Sequence, residues 1–283
     1  MRPWVGLSLM PEPEFLAAAY PLFEAGLVDV LEWSFDVGWP PAAVPTWASS
    51  LIDHFSGADR LLGHGVSYSP LSANDHERQD AWLESLRDEV ASRSYRHISE
   101  HFGFAAGGNF HQAAPLPVPL SAAALEVGRA RLLRLADVAG VPIGLENLAF
   151  AFSLRDVLEQ GRFIDQLLAP VHGFLVLDLH NLYCQMCNFG VKCDDLLAGY
   201  PLEKVRELHV SGGSWSDPGA APVRRDTHDD DVPGEVFAML PRALEACPHV
   251  EAVILERLGY TLNEENAAAF RRDFERLREM VHG

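Results

Sequence analysis

Oxygen and imidazole side chains close one apolar run after another along this chain. His64 follows Leu61-Leu62-Gly63, and His101 ends the run from Tyr95 to Glu100. Glu146 follows Val141-Pro142-Ile143-Gly144-Leu145, and Asp178 follows Phe174-Leu175-Val176-Leu177. His209 follows Val205 to Leu208, and Glu256 follows Ala252-Val253-Ile254-Leu255. Between the last two lies Asp226-Thr227-His228-Asp229. One such residue would mean little, because a rim residue is ordinarily just hydrogen-bonded. Six run-ends and a loop pair, with no cysteine among them, describe a metal site on the rim of a barrel. Mixed imidazole and carboxylate donors suit iron, manganese or zinc better than magnesium. One ion cannot use so many donors, so two or three ions bridged by carboxylates are expected.

Eight strand-like segments carry these residues: Trp4–Leu9, Val28–Ser34, Leu61–Tyr68, Tyr95–Phe102, Pro142–Leu148, Phe174–Asn181, Val205–Gly212 and Ala252–Leu258. Their short apolar runs suit parallel strands covered on the outer face. Helical spacing of Ala and Leu marks Glu12–Ala25, Asn74–Ser92, Ser121–Ala139, Ser153–Leu168, Pro233–Ala246 and Asn263–Val281, with Ser121 and Ser153 as N-caps. Pro45–Phe55 and Val191–Tyr200 are weaker connections. Alternating strands and helices predict a parallel sheet, and eight units predict closure into a single (β/α)8 TIM-like barrel spanning residues 1–283. Strand parity then puts His97, Ser99 and His101 on one face, Glu207 with His209, and Asp178 with His180. Asn181 joins them only if its strand ends or bulges first. Inward charges near a barrel top are costly unless paired or metal-bound. Three long stretches, Asp36–Thr46, Phe104–Leu120 and Gly213–Val232, follow strand ends and are expected on the same rim, where substrate contacts belong.

The chain has 283 residues, 48% of them hydrophobic, and a formal net charge of −18 from 40 acidic and 22 basic residues. Such a charge repels nucleic acid at long range and favours solubility, cationic peptides or metal ions. No apolar run approaches a membrane span. Met1-Arg2-Pro3-Trp4 enters an apolar strand without the features of a signal peptide, so a cytoplasmic location is expected. The four cysteines are too few for a disulfide scaffold. Cys184-Gln185-Met186-Cys187 lacks the second pair of a zinc knuckle, which leaves ordinary thiols or a redox pair. Neither a Gly-x-Ser-x-Gly elbow nor a phosphate-binding glycine loop is present.

Several blocks occur together and in order: Ser99-Glu100-His101, Leu116-Pro117, Gly144-Leu145-Glu146-Asn147, Asp178-x-His180-Asn181-Leu182-Tyr183, Glu207-Leu208-His209-Val210-Ser211-Gly212, and Asp226-Thr227-His228-Asp229-x-x-Val232-Pro233. Together they resemble the multinuclear non-heme iron-dependent oxidases, which include enzymes of methanobactin and thiaglutamate biosynthesis. The likeness runs from Gly63-His64-Gly65-Val66 to Leu255-Glu256. It implies two or three irons of mixed Fe(II)/Fe(III) valence, O2 as cosubstrate, and oxidation of a residue, often cysteine, in a ribosomal precursor peptide. A separate peptide-recognition protein is an expected partner; nucleic acid and membrane are not. Carried over by motif, the ligands are His64, His101, Glu146, Asp178, His209, Asp226, His228 and Glu256, with Asn181 added. Glu100, Arg225 and Asp229 are candidates for hydrogen bonding around the ligands, and His97 is either another or simply a buried histidine. Two positions depart from the family pattern. His180 stands where an amide is usual, and Asn188-Phe189-Gly190 stands for Asn-His-Gly.

The same donor set would also serve a divalent-metal sugar isomerase or epimerase, or a trinuclear-zinc hydrolase such as an abasic-site nuclease. The acidic charge counts against the nuclease. A non-catalytic peptide-binding module would have no use for so many convergent ligands. Bound-metal identity separates these readings.

Overall fold

The computed structural model describes residues 2–39, 43–72, 75–107, 110–216 and 221–283. Ten strands follow in chain order: β1 (Trp4–Leu9), β2 (Val30–Trp33), β3 (Leu61–Gly65), β4 (Ile98–His101), β5 (Phe104–Gly107), β6 (Phe110–Leu116), β7 (Ile143–Glu146), β8 (Phe174–Asp178), β9 (Val205–Val210) and β10 (Ala252–Leu255). All but β5 and β6 close a parallel barrel in the order β1-β10-β9-β8-β7-β4-β3-β2. Helices Pro13–Glu24, Thr46–Gly57, His76–Ser92, Ala122–Ala139, Leu154–Leu168, Leu179–Phe189, Cys193–Leu197, Gly234–Ala246 and Ala267–His282 connect the strands and surround them. This is the TIM-like barrel that the alternating pattern predicts. Among the described residues, no helix is long and apolar enough to cross a membrane.

Strand parity sorts the side chains into two cores. Leu31 and Trp33 of β2, Leu61 of β3, and Val253 and Leu255 of β10 join the large cluster between sheet and helices. Val30, Leu62, Ala252 and Ile254 form a small separate cluster with Trp4 packed against it. Burial of such side chains supplies roughly 1.5–3 kcal/mol each, before entropy is charged against it. One further step of two along the inner row leads from Val30 to Glu32, from Leu62 to His64 and from Ile254 to Glu256. The candidate ligands are therefore the continuation of the inward-facing row, placed above an apolar floor.

The barrel strands end earlier than the apolar pattern alone suggests, and side-chain acceptors explain where. β3 stops at Gly65 because Asp36 takes the backbone N–H of Val66 (3.1 Å) and Ser67 (2.8 Å), while Glu100 takes those of Tyr68 (2.7 Å) and Ser69 (3.2 Å). β8 stops at Asp178 because that carboxylate accepts from Asn181 N (2.7 Å) and caps the helix Leu179–Phe189. The expected strand through Asn181 is thus corrected: Asn181 lies in the first turn of a helix. Ser121 and Ser153 cap their helices as expected, each accepting at 3.2 Å from a backbone N–H three residues on.

The stretch Phe104–Leu120 is more regular than a loop. β5 and β6 pair antiparallel, and the rings of Phe104 and Phe110 stack at 5.2 Å and 16°. Its glycines and prolines read as breakers in the sequence, yet the stretch accommodates a two-stranded ribbon. Gly108 and Asn109 of that stretch lie outside the described residues, as do Asn74, Pro40 to Ala42 of Asp36–Thr46, and Asp217 to Ala220 of Gly213–Val232.

The N-caps offer a direct test of the helix boundaries. Ser153→Ala is expected to lower stability by about 1 kcal/mol. Urea unfolding of the variant against wild type reads this, and an unchanged midpoint would contradict the cap.

Candidate metal centre

The ligand-type residues converge at the C-terminal ends of the strands as three contiguous groups. The first joins His64, His101 and Glu146. His64 Nε2 lies 3.3 Å from His101 Nε2 and 3.4 Å from Glu146 Oε2, and His101 Nε2 lies 3.3 Å from the same oxygen. Donors around a tetrahedral ion with ~2.1 Å bonds sit about 3.4 Å apart, so this triangle has the edges of one ion's ligand set. Ser99 settles the orientation of His64. Its hydroxyl lies 2.7 Å from Nδ1 and 3.3 Å from the carbonyl of Gly63, to which it donates. Nδ1 therefore carries the proton, and Nε2 keeps its lone pair for the cluster.

The second group is Glu146, Asp178, His209 and Glu256. His209 Nδ1 lies 3.2 Å from Glu256 Oε2 and 3.7 Å from Glu146 Oε1, while its Nε2 turns down onto Glu32 at 3.1 Å. The third group is Asp178, Asp226 and His228, with His228 Nε2 2.8 Å from Asp226 Oδ1. Glu146 and Asp178 each belong to two groups, so the three candidate subsites form a row joined by shared carboxylates.

Asn181 sits beside that row. It is buried, its Nδ2 donates to the carbonyl of Asn147 (2.9 Å), and its Oδ1 has no hydrogen-bond partner. Asp178 Oδ2 is likewise buried and unpartnered, whereas His209 Nδ1, Glu256 Oε2 and His228 Nε2 are buried and face candidate ligands at 2.8–3.8 Å without hydrogen-bond geometry. A buried polar atom without a partner costs roughly 1–3 kcal/mol. Two such oxygens, with three more buried donor atoms that face other candidate ligands without hydrogen-bond geometry, fit cations between them. Hard carboxylate and borderline imidazole donors suit a first-row transition metal.

The electrostatics agree. Burial, with Asp226, Glu146 and Glu256 nearby, pushes the Asp178 carboxyl well above the usual range. Burial holds the His64 imidazole well below its ordinary value, and His101 and His209 add to the effect. For His209 burial acts downward, yet Glu256 and Glu32 outweigh it and raise the imidazole well above normal. Without a metal ion, protonated His209 and His228 supply the positive charge that the buried carboxylates require, and a bound cation would take over that role.

A further group lies beneath. Glu32, Glu207 and His209 could also share an ion, and His97 Nε2 donates to Glu207 Oε2 at 2.7 Å. Sequence reasoning paired Glu207 with His209 by parity but missed Glu32. The available signal was its inward parity in Val30-Leu31-Glu32-Trp33, an acid inside an otherwise apolar strand. The structure does not bring Glu100, Arg225 or Asp229 into the ligand row. Glu100 faces away and holds the backbone of Tyr68, Ser69 and His101. Arg225 is exposed and donates to Ser214 Oγ (2.8 Å) and the carbonyl of Trp215 (3.2 Å), while Asp229 accepts from Ser214 Oγ and Thr227 Oγ1. All three brace the loops that border the cluster. Of the CxxC pair, Cys184 is buried and Cys187 exposed, both as free thiols.

Residues 45–279 match the family of RiPP precursor modification enzymes MbnB/TglH/ChrH. The chain belongs to this family. Its relatives include a UPF0276 protein of Caulobacter vibrioides, 30% identical over 263 residues, which are 90% of this chain and 88% of that one. A UPF0276 protein of Chromobacterium violaceum is 30% identical over 215 residues, 76% of this chain and 73% of the relative. Among solved structures, a D-allulose 3-epimerase from Methylomonas sp. superposes with TM-score 0.62 at 17% identity, covering 99% of this chain and 97% of that one. The IOLI protein with a bound zinc atom gives 0.62 at 13% identity, covering 98% of each chain. At such identities these two share the barrel. The family itself rests on the profile match and on the UPF0276 relatives.

If cations balance this member of the family, Asp178→Asn should have opposite effects with and without them. The metal-free protein is expected to gain about 1 kcal/mol or more, a few degrees in unfolding midpoint, while bound metal per chain falls. Calorimetry of metal-free protein and elemental analysis of loaded protein test both halves. A destabilised metal-free variant with full metal content would refute the charge argument.

Proposed function

We propose that this chain is a multinuclear iron-dependent oxidase that uses O2 to modify a residue, expected to be cysteine, of a ribosomally synthesised precursor peptide. The observation that carries the reading is the row of three candidate subsites linked by Glu146 and Asp178. A single-ion isomerase has no need of such a row. Membership in a family of precursor-modifying enzymes supports a peptide as substrate. His64, His101 and Glu146 would hold one ion, Glu146, Asp178, His209 and Glu256 a second, and Asp178, Asp226 and His228 a third, with Asn181 as an added oxygen donor. Bound iron would supply electrons for dioxygen chemistry and a position for a soft thiolate ligand.

The protein's own part is orientation and exclusion of water. His209 and Asp178 are fully buried, and Glu256 is nearly so. His101, Asp226 and His228 remain about one-fifth exposed at their side chains. Substrate therefore approaches at the two ends of the row, while the middle stays dry. Ser99 and Glu32 hold His64 and His209 with the correct nitrogen toward the cluster. Glu100, Arg225 and Asp229 keep the bordering segments in place. The net charge of −18 favours a cationic leader on the peptide, and a cytoplasmic site of action with a separate recognition partner completes the reading.

Co-expression with a precursor peptide encoded beside this chain, followed by intact-mass and fragment analysis, tests the proposal. A mass change at cysteine that needs both iron and O2, and that disappears in His209→Ala, is expected. An unmodified peptide together with turnover of a free sugar by the zinc- or manganese-loaded protein would favour the isomerase instead.

A further inference from the structure

His180, where the sequence departs from the family pattern, and Asn188, beside the second departure at Phe189, converge on one residue, Arg224. His180 is fully buried, and its Nε2 receives the guanidinium of Arg224 from Nε at 3.3 Å and from a terminal nitrogen at 3.2 Å. Asn188 grips the backbone of the same arginine twice. Its Nδ2 donates to the Arg224 carbonyl (2.9 Å), and its Oδ1 accepts from the Arg224 N–H (2.8 Å). Tyr183 and Trp215 flank the guanidinium at 5.3 and 5.7 Å from their ring centres. A guanidinium has no acceptor, so His180 Nε2 must be the lone-pair nitrogen. Nδ1 then carries the proton and faces Asp226 Oδ1 at 3.4 Å. Both ring nitrogens are used, and neither is left for an ion.

The path continues into the candidate centre. Asp226 Oδ1 is the atom that lies 2.8 Å from His228 Nε2. Among its described residues, the loop bearing these two candidate ligands has no strand or helix. It is tied by an isolated bridge between Trp215 and Arg224 and by the Asn188 bracket. Gly213 makes room for the arrangement, because a Cβ there would meet the carbonyl of Arg225 and approach His180 Cε1 to 2.8 Å.

We infer that Arg224 and His180 are positioning residues for the third subsite: Arg224 fixes the His180 tautomer, and His180 holds Asp226 where it can share an ion with Asp178 and His228. The inference rests on the multinuclear reading above. It assigns Arg224 and His180 to the Asp226 end of the row, leaving the His64–His101–Glu146 end independent of them. Loss of such an outer partner typically weakens a metal site about 10- to 100-fold.

Zinc(II) serves as a redox-silent probe, with ions counted per chain and titrated against a chelator in wild type, His180→Phe, Arg224→Met, Arg224→Lys and the double variant His180→Phe/Arg224→Met. Wild type is expected to hold more than one ion. Each of His180→Phe and Arg224→Met should weaken the most loosely held ion at least tenfold and leave the others unchanged. The double variant should be no worse than either single one, because both act through one contact path. Arg224→Lys, which keeps a donor to His180, should recover part of the affinity, and the metal-free variants should unfold within a few degrees of wild type. Unchanged zinc affinity in Arg224→Lys and in whichever of the other variants fold would overturn the inference alone. Additive losses in the double variant, or an equal loss at every subsite, would do the same. A wild-type chain that holds at most one ion would overturn the multinuclear reading as well.

Discussion

Negative charge packed where water cannot follow is the condition to which the rest of the molecule answers. Glu32, Glu146, Asp178, Glu207 and Glu256 are all buried inside one barrel mouth. Among the described residues, the ion-pair partners of this set and of Asp226 are histidines, with no lysine or arginine reaching them. Removing a carboxylate from water costs several kcal/mol unless an opposite charge replaces the lost hydration. A flexible loop would relieve such strain by moving the acids apart. Strands of a closed barrel cannot, since their inward row is fixed by parity and by neighbours on both sides. The fold holds the acids in place, where protonated His209 and His228 offset them and a cation from outside would do so in their stead.

Three histidines in and beside the cluster are each oriented by a partner that is not itself a candidate ligand of the three-subsite row. Ser99 sets His64, Glu32 sets His209, and Arg224 sets His180 through its acceptor nitrogen. The partners differ chemically because the surroundings do. A hydroxyl suffices beside a backbone carbonyl, a carboxylate works in the middle of the barrel, and a cation is tolerated only near the rim where Tyr183 and Trp215 cover it. This gradient, from apolar floor to polar middle to charged rim, is the same one that runs along β2, β3 and β10.

Much of this was legible in the chain because two simple regularities coincide. Apolar runs of strand length marked the barrel, and acids and imidazoles at their ends marked the face where candidate ligands gather, so the convergence of His64, Glu146, Asp178, His209 and Glu256 could be expected without coordinates. What stayed hidden depends on contacts between distant segments. The pairing of Glu32 with His209 joins residues 177 positions apart and leaves no local signature. The Phe104–Leu116 ribbon was hidden because its glycines and prolines read locally as loop residues, while its pairing joins β5 to β6. Arg224 sits in a polar stretch where nothing distinguishes it from Arg225, although one is buried and the other exposed. Strand ends were overestimated wherever a distant carboxylate, such as Asp36 or Glu100, intercepts the backbone.

Asp178 has two employments that evolution would feel separately. One oxygen caps the helix Leu179–Phe189, and the other is unpartnered and faces the row. A lineage that abandoned the chemistry but kept the barrel would still be under pressure to retain a capping residue there, and asparagine or serine would serve. Persistence of a polar residue at this position in a descendant is therefore weak testimony that it still works as an enzyme. Glu146 accepts no backbone N–H among the described residues, so drift at that position would be the earlier sign that the centre had been given up.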